Sequence, residues 1–229
     1  RLSAGYFRID YEDRIRGVAD GLSVQYLLSV EDHLPPGIIQ RSDDGELQLI
    51  NLRNINSAST RMSGYDLALG YGWTAGAWGT FDVSVAATII DEYVDRLTPG
   101  SPLLSLKGTV GNPPDWSGRA VIGWSRGGWT ANLGVNYVDS LHNISADPRV
   151  ARRDVDSFVT TDFQMGLSLA RSASPLLNGL TLRAGVFNLF DEEAPFVDGL
   201  GGGYDPRNHD IGGRTVYVRV SKTFGDAAR

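Results

Sequence analysis

The side chains able to do chemistry here are few. The chain has three histidines and no cysteine. That removes disulfides, thiolate metal sites and a cysteine nucleophile. His33, His142 and His209 fall in stretches rich in Pro, Gly, Asp and Asn, and none stands at a strand position beside a serine. Catalytic triads are defined by geometry, so chain order alone does not decide against one. Acidic clusters occur at Asp43-Asp44-Gly45-Glu46, at Asp191-Glu192-Glu193 and in Asp205-Pro206-Arg207-Asn208-His209-Asp210. None has the ligand spacing of a Ca²⁺ loop, so they read as solvated turns. Gly199-Leu200-Gly201-Gly202-Gly203 is followed by neither a lysine nor a helical pattern, and reads as an outer loop, not a phosphate cradle. No catalytic residue, metal ligand or cofactor is therefore assigned. A net charge of −6 argues against nucleic acid as a partner.

The elements around these residues alternate with period two. Strand patterns cover 2–15, 46–73 (irregular at 57–60), 80–89, 116–124, 129–137, 159–169, 181–189 and 215–224. One face carries Leu67, Leu69, Val83, Val85, Leu133, Val135, Phe163 and Leu167. The other carries Arg8, Asp10, Asp66, Asp82, Arg119, Asn132, Asn136, Asp162, Gln164 and Arg219. Connections alternate in length: short at 74–77, 125–128 and 171–179, long at 16–45, 97–114, 141–157 and 191–213. Trp73 and Trp78 bracket one short turn, and Trp124 and Trp129 another. Amphipathic rings at strand ends suit a membrane–water boundary. No run approaches the roughly 18 apolar residues of a spanning helix. A transmembrane β-barrel needs none, because only alternate residues meet lipid. The expected fold is all-β, an antiparallel transmembrane barrel segment of about eight long strands with short periplasmic turns and long extracellular loops.

Five stretches carry a family resemblance. Ala4-Gly5-Tyr6-Phe7-Arg8-Ile9-Asp10-Tyr11-Glu12-Asp13-Arg14-Ile15 resembles an upward strand, and 37–47 the outer loop after it. Arg61-Met62-Ser63-Gly64-Tyr65-Asp66-Leu67, with Asn54 before it, resembles the returning strand. Val186-Phe187-Asn188-Leu189-Phe190-Asp191 resembles an Asn-Leu-Phe-Asp element, and 213–224 a closing strand with a terminal aromatic. In this order they resemble the C-terminal part of TonB-dependent outer-membrane receptors. The resemblance implies a barrel of about 22 strands around an N-terminal plug. It implies residence in the bacterial outer membrane, among its lipid. It implies uptake of a small nutrient ligand such as a ferric siderophore, a cobalamin-like compound or a saccharide. A TonB-type energy-coupling protein would be engaged through an N-terminal part preceding this chain. Residues 1–224 are then barrel and 225–229 a tail.

The ligand-contact candidates on the lumen side are Arg8, Asp66, Arg119, Asn132, Asn136 and Asp162. Phe224 is the candidate assembly signal, although it is normally the last residue and Lys222 sits where an apolar residue is usual. As a receptor piece, the first and eighth strands should not pair with each other. Two other architectures fit the alternation. One is a complete eight-stranded barrel of structural or adhesive role, its interior filled by side chains. The other is a soluble β-sandwich binding module.

Overall fold

The computed structural model describes residues 1–18, 24–143, 154–169, 174, 176–198 and 202–224. Eight long strands form one antiparallel meander, each paired with its neighbour in sequence. They are β1 (Leu2–Gly17), β4 (Asn54–Thr74), β5 (Thr80–Arg96), β7 (Trp116–Arg126), β8 (Trp129–Val138), β9 (Phe158–Leu169), β10 (Leu180–Phe187) and β11 (Thr215–Lys222). Three short strands belong to the outer loops: β2 (Ile39–Arg41), β3 (Leu47–Ile50) and β6 (Leu104–Ser105), together with helix α1 (Val24–Ser29). Among the described residues β1 ladders only with β4, and β11 only with β10.

The expected second strand begins later than its residues suggested. Residues 47–50 leave the sheet to form a small hairpin with β2. The chain turns at Asn51, whose side-chain oxygen accepts the Arg53 N–H at 3.2 Å. An Asx turn of this kind offers the backbone an alternative to the ladder. At the opposite end, β7 and β8 are joined by Gly127 and Gly128, with φ of 57° and 89°. Two left-handed residues make the two-residue hairpin turn whose twist matches its strands, and glycine adopts them without a Cβ penalty.

Residues directly opposite in an antiparallel ladder share a face, so the register sorts every side chain. Leu69, Val85 and Ala120 lie in one row, and Leu133 lies opposite Phe163. Leu67, Leu69, Val85, Ile122, Leu133, Val135 and Phe163 remain 38–46% exposed. No second sheet covers them among the described residues. Among the described residues the other sheet is the β2–β3 hairpin. That removes the soluble sandwich, which needs its apolar face dry.

Aromatic residues close both ends of this face. Towards the short turns, Trp73 stacks on Phe81 at 5.3 Å and on Tyr71 at 5.7 Å, and the Trp124 indole N–H donates to the Trp78 carbonyl at 2.8 Å. Towards the long loops, Tyr6 meets Tyr65 at 5.3 Å and Trp116 stacks on Tyr137 at 4.1 Å. Tyr65 to Trp73 and Trp116 to Trp124 are each eight residues. Eight residues span about 26 Å of strand, or about 20 Å of height at a tilt of about 40°. Two girdles at that separation approach the roughly 25 Å apolar band of an outer-membrane barrel.

The buried clusters lie under the loops and at the loop-side ends of the strands. Val18, Leu27, Val30, Ile38, Ile55 and Leu97 form one cluster around the first long loop. Leu141, Val155 and Val197 form a second, shared by two later loops.

Candidate functional site

The polar face is a connected surface. Arg119 on β7 donates to the Asn136 side-chain oxygen at 2.9 Å and lies 3.4 Å from Asp162 on β9. The Asn136 amide donates to Thr160 at 3.0 Å and to Asp162 at 3.1 Å. Asp162 also accepts the Asn188 backbone N–H at 3.1 Å. Lower on the face the Tyr217 hydroxyl donates to Gln164 at 2.8 Å, and one row nearer the long loops than Arg119, Thr88 donates to Asp66 at 2.6 Å. A depression of about 570 Å³ runs beside this network, with Gly5, Asp66, Ala86, Thr88, Arg119 and Asn136 in its lining. Its depth follows from small residues at Ser3, Gly5, Ala68 and Ala86. A second pocket of about 270 Å³ sits higher, between Asp162, Asn188, Phe158, Phe187 and Asp210.

Five of the six lumen candidates therefore share one face. Arg119, Asn136 and Asp162 are in contact, Asp66 lines the same depression, and Asn132 stands opposite Gly123 and Gln164. Arg8 does not belong with them. It stands opposite Ser63, so it shares the face of Tyr65 and Leu67, one position outward of the Tyr6–Tyr65 pair. There it joins an ion-pair group: Asp10 accepts from Arg8 at 2.8 Å and from Arg61 at 2.7 Å. The alternation misleads at this point because Tyr6, Phe7, Ile9 and Tyr11 put aromatic or apolar groups on both faces.

The inner face above the membrane band is instead supplied by Arg14 and Arg16. Asp13 adopts a left-handed φ of 53°, and past it the side chains exchange faces. Arg14 then donates to the Tyr93 hydroxyl at 3.4 Å. Arg16 pairs with Asp95, which also accepts from Thr60 at 2.6 Å, all three buried. On β5 the extra residue Asp91 shifts the register between Ser63 and Gly64. Gly64 is required there, since a Cβ would lie 2.3 Å from the Ile89 carbonyl oxygen and 2.8 Å from the Phe7 ring.

The Asn-Leu-Phe-Asp element is a clamp at the top of β10. Asn188, with φ of 50°, exchanges side-chain to backbone bonds with Glu192 at 2.8 and 2.9 Å. Asp191 accepts the Arg214 backbone N–H at 2.7 Å, tying the clamp to the start of β11.

The loops above carry polar contacts that the solvated-turn reading did not anticipate, those of Asp205 and Asn143 at buried side chains and His142–Asp154 at the surface. Asp205 is fully buried. It accepts from the Gly111 backbone at 2.7 Å, the Arg207 backbone at 3.0 Å and the Asn208 amide at 2.8 Å. The Asn143 amide donates to the Asp198 carbonyl at 3.0 Å, and His142 pairs with Asp154 at 2.9 Å. The His142–Asp154 hydrogen bond raises the His142 pKa. His209 is held below its usual value by burial, against the pull of Asp205. The stretch 199–201 and the tail 225–229 lie outside the described residues.

Gly123-Trp124-Ser125-Arg126-Gly127 has the Gly-x-Ser-x-Gly spacing of a nucleophile elbow. Ser125 is the last residue but one of strand β7, before a hairpin, and stands opposite Thr80 and Thr130. No helix follows it, so the strand-to-helix geometry of that motif is not built.

An antiparallel meander with one lipid-type face, one polar face and two aromatic girdles is the wall of a transmembrane β-barrel. The model of the TonB-dependent receptor-like β-barrel family matches residues 1–189. The chain belongs to that family, whose members are barrels of the bacterial outer membrane. No curated protein matches it by sequence.

Solved structures agree on the fold. One is a variant ferric enterobactin receptor from Pseudomonas aeruginosa bound to enterobactin, 17% identical with a TM-score of 0.62, covering 97% of this chain and 29% of that one. Another is the siderophore receptor PirA from Acinetobacter baumannii, 18% identical with a TM-score of 0.57, covering 97% and 29%. A third is the copper transporter OprC, 18% identical with a TM-score of 0.51, covering 97% and 28%. The chain thus spans less than a third of the length of each.

Proposed function

We propose that this chain is about a third of the barrel wall of a receptor that imports a scarce, small nutrient across the outer membrane by energy coupling. The observation that carries the reading is the two-solvent sheet: an exposed apolar face between aromatic girdles, backed by a polar face with its own hydrogen-bonded network. A structural barrel has no use for a depression lined by mixed polar groups beneath interlocked loops. Asp66, Arg119, Asn132, Asn136 and Asp162 are the proposed ligand contacts. The TonB-type coupling protein is the proposed partner, and the role is transport without catalysis. The named ligands of the similar receptors favour a ferric siderophore over cobalamin-like compounds and saccharides. Cells carrying the full-length receptor should accumulate a labelled ferric siderophore, and loss of the coupling protein should abolish it. Accumulation that persists without the coupling protein would overturn the reading.

Phe224 is proposed as an assembly element. It is 85% exposed two residues beyond β11, with the Lys222 ammonium 5.7 Å from its ring centre. Val216, Val218 and Val220 continue the same strand at 64–74% exposure. A regular apolar strand with an open edge invites pairing with another strand. Phe224→Ala in the full-length protein should lower the amount of heat-modifiable, protease-resistant barrel in membranes several-fold. Ligand affinity of the assembled fraction should change little. Equal amounts of the two barrels would remove Phe224 from assembly.

A further inference from the structure

Arg183 on β10 and Arg219 on β11 stand directly opposite one another on the polar face. Both are exposed. Among the described residues neither makes an ion pair or a side-chain hydrogen bond. Directly opposed side chains on a sheet have Cβ atoms about 5 Å apart, and like charges so placed repel.

Their surroundings supply no counter-charge. The same row continues through Gly166 to Thr130. The row above holds Gly185, Tyr217 and Gln164, and the row below Thr181, Ser221 and Ser168. All are neutral. Of the carboxylates elsewhere on this face, Asp162 is engaged with Arg119, Asn136 and Asn188 and Asp66 with Thr88, while Asp82 stands on β5, separated from β10 by β7, β8 and β9, about 19 Å at the spacing of neighbouring strands. Gly166 and Gly185 keep the space beside the guanidiniums clear. A Cβ at 166 would come within 3.5 Å of the Arg183 Cγ, and one at 185 within 2.5 Å of the Tyr217 ring.

We propose that Arg183 and Arg219 form a two-arginine clamp for an anionic group inside the lumen, a proposal that rests on the polar face being the lumen wall. Two planar guanidiniums side by side present paired donors that match a carboxylate or a phosphate. The anion comes either from a polypeptide segment of the same receptor in the lumen or at the seam beside β11, or from a dissolved anionic solute.

The test uses the full-length receptor purified in detergent, with Arg183→Gln, Arg219→Gln and Arg219→Lys variants. If a polypeptide carboxylate fills the clamp, each Gln variant unfolds several degrees below wild type whether or not inorganic phosphate is present. The Lys variant, which keeps charge and loses the fork, falls between. If a solute fills it, added phosphate raises the wild-type unfolding temperature and the Gln variants lose that response. Gln variants as stable as wild type or more so, with no phosphate response, would overturn the clamp, because relief of repulsion would then be the only effect. Single cysteines separate this from failure of the lumen reading. Thr181→Cys should react with a charged maleimide and Leu182→Cys should not. The reverse pattern would overturn the lumen assignment itself.

Discussion

Val85→Arg should destabilise the assembled barrel by about 2–4 kcal/mol. Val85 is four residues from Phe81 and four from Ile89 along β5. Its ladder neighbours are Leu69, midway between Tyr65 and Trp73, and Ala120, midway between Trp116 and Trp124. Three strands therefore agree that this row is the middle of the apolar band. Four residues are about 13 Å of strand, further than an arginine reaches along its own stem. A guanidinium there cannot snorkel fully to either girdle and stays partly desolvated. Ser84→Arg is the control. Ser84 neighbours Val85 but faces Gly70 and Val121 on the polar side, where water reaches it. Denaturant unfolding of the full-length receptor in lipid vesicles should show the large loss for Val85→Arg and a much smaller one for Ser84→Arg. Equal losses would mean that the two faces do not meet different solvents.

The alternation behind that contrast was legible because each strand lies between two solvents for its whole length. Nothing else decides its side chains, so period two survives in 64–73, 80–89 and 129–137. The eight strands, their order and the turn tryptophans follow directly. What the residues hide is where a face changes sides. Asp13 is of a type that tolerates positive φ, but it stands inside a strand pattern with no turn residue beside it, and Asp91 carries no signature of an inserted residue. Both act by shifting neighbours on other strands. Asp13 hides the faces of Arg14 and Arg16, whereas Arg8 is hidden by the aromatic and apolar groups that Tyr6, Phe7, Ile9 and Tyr11 put on both faces. Asn188 was within reach, since asparagine tolerates positive φ better than most residues. The loop cap was out of reach. Asp205 reads as one acid in a polar turn, and the Gly111 amide that buries it is 94 residues away.

Asp205 gives the sharpest test of that cap. Its two oxygens accept three hydrogen bonds, all from N–H donors, with no exposure to water. Asp205→Ala removes every acceptor and leaves the Gly111 amide without a partner. Unsatisfied buried donors cost about 1–3 kcal/mol each. Asp205→Asn is nearly isosteric but replaces one oxygen by an NH₂ group, which meets donors with a donor. The remaining oxygen of Asp205→Asn can still accept from Gly111 and Asn208 while its NH₂ meets the Arg207 N–H, so this variant should lose less than Asp205→Ala. The damage should stay local, because the loop cap and the sheet do not share a core, and weakly coupled units open separately. Hydrogen exchange at Gly111 should speed by roughly 5- to 150-fold in Asp205→Ala, the equivalent of about 1–3 kcal/mol. Exchange in β7 and β8 should hardly change. The Arg207 guanidinium also donates to the Gly111 carbonyl at 2.6 Å and the Asn208 amide to the Asn112 carbonyl at 2.9 Å, so the loops share a second attachment. Arg207→Ala should accordingly add to the effect of Asp205→Ala less than its own separate loss. Unchanged Gly111 exchange in both Asp205 variants would mean that the carboxylate does not hold the two loops together.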